Sequence, residues 1–319
     1  RIRATDVRIG STTSGAMTVS AWTPAAAFAT DELTLASSAG ITQGGAVDLS
    51  TSTSNLVIRG AGNVVLESAN EFGSIAVSKT AGSVSITDGS ALTVTNLTDD
   101  IGAVSGITAP GGVTLAAGGL LTVTDDVSST DTAISLTGVG LTVNSGPASV
   151  SSGSGGVTLD SGTGTLTVSA LAEVLTTGAV GITADLVSIA GDGQIGGTGT
   201  GAGTAATVTI ESDTAARTIG IAGGGGLLSL ASADLARIRA TDVRIGSTTS
   251  GAMIVNAWTP AATFATDELT LASSLGITQG GAIDLSTSTS NLIIRGAGNV
   301  VLESGNDFES IAVSKTAGS

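Results

Sequence analysis

The 319 residues include no Cys, no His and no Tyr, and only two Trp and four Phe. Each absence removes a class of chemistry. Without Cys there is no disulfide frame and no thiolate metal site. Without His the commonest general base and transition-metal ligand are gone, so Ser/His and Cys/His catalysis are excluded. Cations are scarce as well: 11 Lys and Arg stand against 26 Asp and Glu, a net charge of −15 that opposes a phosphate backbone. Every apolar stretch is broken by Thr, Ser, Gly or Asp well short of the roughly 20 residues a membrane helix needs, so no membrane insertion is expected.

What is abundant is Gly, 47 residues, alongside a mean hydropathy of +0.45. Disordered chains are poor in Val, Ile and Leu, whereas this one uses them throughout. A core built from aliphatic and small side chains is therefore expected.

The chain repeats itself. Residues 1–83 recur as 237–319 with 9 differences in 83 positions, among them Thr18/Ile254, Val57/Ile293 and Ala69/Gly305. The second copy stops where Val84 continues the first, as expected of a window cut from a longer tandem array of period 236. On this reading 1–319 is one continuous element, with 1–236 a full period and 237–319 the start of the next.

A shorter rhythm lies beneath. Val84-Ser85-Ile86, Leu92-Thr93-Val94, Val113-Thr114-Leu115, Leu121-Thr122-Val123 and Ile134-Ser135-Leu136 alternate apolar and hydroxyl residues, and period 2 with β-branched side chains means strand. No 3.6-residue pattern persists for three turns, so almost no α-helix is expected. Strands at Val113, Ile134, Val157 and Val180 start 21, 23 and 23 residues apart. The spacing predicts an all-β parallel β-helix, a solenoid of about 20–25 residues per coil. An immunoglobulin-like sandwich is the competitor, but six aromatic residues cannot supply its usual core anchors.

The phrases ADLARIRATDVRIGSTTSGAM (233–253), LTLASSAGITQGGAVDLS (33–50), GNVVLESANEFGSIAV (62–77) and TIGIAGGGG (218–226) resemble the shafts of filamentous haemagglutinin-like giant bacterial surface and secreted proteins. The resemblance implies a right-handed β-helix, exported by partner-dependent secretion or a related route, that holds tip domains away from the cell. It implies an extracellular or cell-surface location in a bacterium, and a structural shaft of an adhesin or matrix fibre. A glycan- or receptor-binding segment is the alternative. No functional residue carries over, because shaft repeats hold no catalytic motif.

Candidate sites are few. Asp99-Asp100 and Asp125-Asp126 are adjacent in sequence, and strand neighbours point to opposite faces, so neither is a carboxylate dyad; turn hydrogen bonding is the expected role. No enzymatic function is expected. A calcium β-roll would need GGxGxDxUx in tandem, and only Ala190-Gly191-Asp192-Gly193-Gln194-Ile195-Gly196-Gly197 approaches it, once. Asp192, Asp125 and Asp126 are thus weak candidates for divalent cations, and no cofactor is expected. Hydroxyl ladders such as Thr93-Val94-Thr95 read as ordinary β-propensity rather than an ice-binding face. Trp22 and Trp258, each in an AWTPAA context, cover apolar surface or stack on a ligand. Phe28, Phe72, Phe264 and Phe308 are expected inside.

Charge is uneven: residues 1–83 carry net −1, 237–319 net −2, and 84–236 net −12 with Arg217 as their one cation. Arg1, Arg3, Arg237 and Arg239 are the candidates for lateral or ligand contacts, with Arg-bearing coils meeting acidic coils of another rod. Expected partners are further copies of the chain, end to end and lateral, and a cell-surface glycan or receptor; no nucleic acid is expected.

Overall fold

A computed structural model describes residues 6–24, 31–50, 55–144, 148–197, 204–286 and 288–319. The chain is an all-β parallel β-solenoid of about 13 turns, and among the described residues it has one short helix, Ser232–Leu235. It forms two compact units, Arg1–Thr158 and Leu159–Ser319.

In the first unit one ladder runs through Met17–Val19, Ile41–Gln43, Val64–Asn70, Val84–Asp88, Val113–Ala117 and Ile134–Thr137. Its register puts like on like: Val84 lies against Val113 and Val113 against Ile134, while Ile86, Leu115 and Leu136 form the next column. These side chains are 0–2% exposed. Parallel pairing repeats every coil, so one inward column of β-branched or Leu residues is buried by its own neighbours.

A second ladder in this unit joins Asp6–Gly10, Glu32–Ser37, Asn55–Gly60 and Ser74–Lys79. There it divides. Ser74 and Ile75 pair with Thr93 and Val94, whereas Val77 and Ser78 pair with Ile107 and Thr108. The two halves continue separately, through Leu121–Val123 and Leu141–Val143 on one side and Val127–Ser128 and Ser149–Ser151 on the other. Between the halves the chain leaves the coil as an antiparallel hairpin, Leu97–Asp99 with Gly102–Val104.

In the second unit the long ladder is Ala179–Thr183, Ala205–Glu211, Ala240–Gly246, Thr266–Ser273, Thr289–Gly296 and Ile311–Lys315. A companion ladder holds Leu228–Leu230, Ile219–Ile221, Met253–Val255, Gly276–Gln279 and Asn299–Val301.

Coil length varies more than the sequence spacing predicts. Val84 pairs with Val113, 29 residues on, because the hairpin is inserted there. Val208 pairs with Val243, 35 residues on, because that coil also carries Ile219–Ile221, Leu228–Leu230 and the helix. In these two coils length is absorbed outside the ladder, whereas Val64–Asn70 takes up extra residues inside it, through a register shift between Leu66 and Asn70.

Of the aromatic residues assigned to the interior, Phe72 and Phe264 are buried, 1% and 0% exposed. Phe308 is only half-buried, and Phe28 lies outside the described residues. Corners are fastened by buried amides. Asn70, fully buried, donates to the carbonyls of Leu66, Ser68 and Thr87 and accepts from Gln43 and the Val47 amide. The second copy repeats the fastening with Asn306, Gln279 and the Ile283 amide.

Candidate functional site

The sites anticipated from sequence fall in separate places. Asp125 and Asp126 are spent on serines of adjacent coils: Ser105 Oγ donates to Asp125 at 2.7 Å, and the Ser149 amide and hydroxyl both donate to Asp126 at 2.8 Å. Among the described residues no group of three or more His, Cys, Asp and Glu could hold a metal ion.

Asp192 lies elsewhere, in a cleft of about 430 Å³ with Gly191, Gly193, Gln194, Arg237 and Arg239. Arg237 donates from Nε to the Gly191 carbonyl and from Nη1 to that of Ala233. Arg239 is 8% exposed; its Nη1 donates to the carbonyls of Ala236 and Ile238, and burial lowers its pKa. Its Nε has no partner and almost no accessible surface, so the guanidinium edge that bears it is closed to the cleft. Two guanidiniums beside Asp192 make this a poor place for a cation. Arg1 and Arg3 lie outside the described residues.

The two Trp hold equivalent corners: Trp22 bridges to Val47 and Trp258 to Ile283. Trp258 is 3% exposed, with its ring 5.3 Å from that of Phe264 and tilted by 58°, so it covers apolar surface. Trp22 is half-buried and lines an apolar cavity of about 320 Å³ with Met17, Leu33, Leu56 and Phe72.

The most elaborate constellation is one that sequence reasoning did not assemble. The hairpin lies over the outward face of the second ladder, where Leu97 and Val104 form an apolar cluster with Val57 and Ala76. Val57 alternates with the inward Leu56 and Ile58, yet all three are 0–1% exposed. Arg59, two residues on and therefore on the same face, grips the hairpin turn. Its Nε and Nη2 each donate to Asp99 at 2.7 Å, one to each carboxylate oxygen, and Nη2 also donates to the Gly102 carbonyl at 2.6 Å. Thr34 Oγ1 adds a bond to Asp99 at 3.1 Å, and Arg8 Nη2 lies 3.2 Å from Asp100.

Inside the turn, Asp99 accepts the amides of Ile101 and Gly102. Burial pushes the Asp99 carboxyl up, but Arg59, the Ile101 amide and Thr34 more than offset it and hold it below the ordinary carboxylate range. The expected turn role of Asp99 is thus present, and a side-on guanidinium fork is added to it. A signal for this was available. The runs Leu56-Val57-Ile58 and Ile75-Ala76-Val77 break the alternation, as strands buried on both faces do.

No family model, curated protein or solved structure matches the chain. Among the described residues no helix is long and apolar enough to cross a membrane.

Proposed function

We propose that the chain is a structural segment of an extracellular bacterial fibre, a stiff spacer of the filamentous haemagglutinin-like kind. The observation that supports this best is the in-register stacking of like residues, such as Leu92 on Leu121 on Leu141 and Val94 on Val123 on Val143. That pattern spends the inward apolar side chains on coil-to-coil contact. It makes stiffness and length, rather than a reaction, the product of the fold.

Loop positions that elsewhere carry chemistry are occupied here by self-satisfying turns. Asp48 with Ser50, Asp88 with Ser90 and Asp284 with Ser286 each close on their own backbone.

Timed trypsin digestion tests the reading. The 11 Lys and Arg are the only cleavage sites, and Arg59, Lys79 and Arg239 are largely buried. The native chain should survive a digestion that fully fragments the heat-unfolded chain. Comparable cleavage rates for the two would overturn the spacer. Saturable binding of the isolated chain to a panel of cell-surface glycans would favour the binding alternative.

A further inference from the structure

We propose that the cleft between the turn at residues 191–194 and the segment 233–239 binds the carboxylate of a small organic acid through Arg237 and Arg239. The inference goes beyond the spacer reading and does not depend on it.

The cleft, of about 430 Å³, lies within the stack of the second unit, with coils on both sides. Gln194 and Ile195 pair with Glu173 and Val174 of the coil before, and Thr263 of a later coil donates to the Ala236 carbonyl at 3.1 Å.

Arg239 is a buried cation without a counter-ion. Its 8% exposure would ordinarily require a carboxylate beside it, because an uncompensated buried charge is costly. Arg59 and Arg217, also mostly buried, have one each, Asp99 at 2.7 Å and Asp185 at 3.3 Å. All 26 Asp and Glu lie among the described residues, and none forms an ion pair with Arg237 or Arg239. Asp234, nearest in sequence, is spent on the amides of Ile189 and Ala231.

Both guanidiniums are instead held in place by carbonyls. Arg239 uses Nη1 on Ala236 and Ile238, and Arg237 uses Nε and Nη1 on Gly191 and Ala233. Among the described residues Nη2 of each has no hydrogen-bond partner, and each keeps accessible surface while Arg239 Nε is sealed. Two positioned, charged donors are thus left for an acceptor from outside the chain.

The charge count selects the ligand. Two guanidiniums and the exposed Asp192 leave the cleft one net positive charge, which matches a carboxylate better than a doubly charged sulfate or phosphate. Its volume also admits a body of several carbons behind the carboxylate.

Isothermal titration of the full chain with sodium gluconate, at fixed ionic strength, should show saturable one-to-one binding. Arg237→Met or Arg239→Met should weaken it at least about tenfold, the loss of a charge-assisted hydrogen bond. Circular dichroism checks that each variant is folded, and the half-buried Arg237 carries the test should Arg239→Met fail to fold. Arg295→Met, which removes an exposed guanidinium elsewhere, should leave the affinity unchanged, and neutral glucose should not bind. No binding of gluconate, undiminished binding to a folded Arg237→Met or Arg239→Met variant, or sulfate binding as tightly as gluconate overturns the proposal. None of these results alters the trypsin test of the spacer.

Discussion

The two copies of the 83-residue segment carry almost the same residues into different surroundings. Inward positions that have a coil on both sides come out alike, such as Leu56 and Leu292 or Ile58 and Ile294, and the Asn70–Gln43 contact recurs as Asn306–Gln279. Outward positions do not, since Val57 is sealed and Ile293 is not, and Arg59 is bonded while Arg295 is exposed. A coil therefore determines its own interior, because the partners of an inward side chain are its own neighbours in the stack. Its exterior is determined by whatever segment folds over it, which lies tens of residues away.

The sharpest way to break this comparison is to remove the two equivalent arginines. Arg59→Ala leaves Asp99, whose side chain is 0% exposed, without its counter-ion, and should cost about 3–5 kcal/mol. Arg295→Ala should stay within about 0.5 kcal/mol. The chain has only two Trp, so urea unfolding followed through Trp22 in a Trp258→Phe background, and through Trp258 in a Trp22→Phe background, reads the two copies separately. Equal effects would contradict the outside-in account.

Glycine offers the opposite expectation. Gly60 and Gly296 have φ of +108° and +113°, and in each a Cβ would stand 2.0 Å from the carbonyl oxygen of the serine one coil before, Ser37 or Ser273. Alanine at either site should cost roughly 1–3 kcal/mol, and nearly the same amount in both, since the clash is with the stacked backbone. The same two-probe unfolding measures it.

The smallest effect is a titration. Lys79, 3% exposed and bonded to the Ala61 carbonyl at 2.7 Å, has its pKa lowered by burial to about 8. Its folded value lies below its unfolded one of about 10.4, so the unfolded chain binds more protons between them. Stability read through Trp22 should therefore rise as pH increases from about 8 to about 10.5. Below about pH 8 the penalty of burying the charged amine is present in full. With no His, Cys or Tyr to titrate nearby, Lys79→Met should flatten the curve.

Much of the fold was legible because its determinants are local and repeated. The alternation of Leu121-Thr122-Val123 states which residues are inside, and the return of the same phrase some 20 residues later states what they stack on. The hairpin was not legible from alternation. Leu97, Asp99 and Val104 make their contacts with Val57 and Arg59, some 40 residues earlier, and only the unbroken runs around Val57 and Ala76 hinted at a covered face. Asp88 was missed for a related reason. It is 1% exposed and accepts the Phe72 and Ser90 amides, yet in sequence it looks like any polar residue after a strand. Burial raises its pKa despite those bonds. Asp192 and Arg237, weighed separately in sequence, share a cleft because residues 45 apart are brought together by successive coils.

The division of the ladder after Ser74–Lys79 has a consequence for how such chains can change. The strand is abandoned after Val94 and resumed at Ile107, and both pieces find hydrogen-bonded places on the coil beneath. A detour can thus be spliced into the middle of a rung without shifting any rung above it. Foreign loops grafted between Thr95 and Gly106 would ride on the scaffold as cargo, and lineages could swap such ornaments while the column beneath stayed the same.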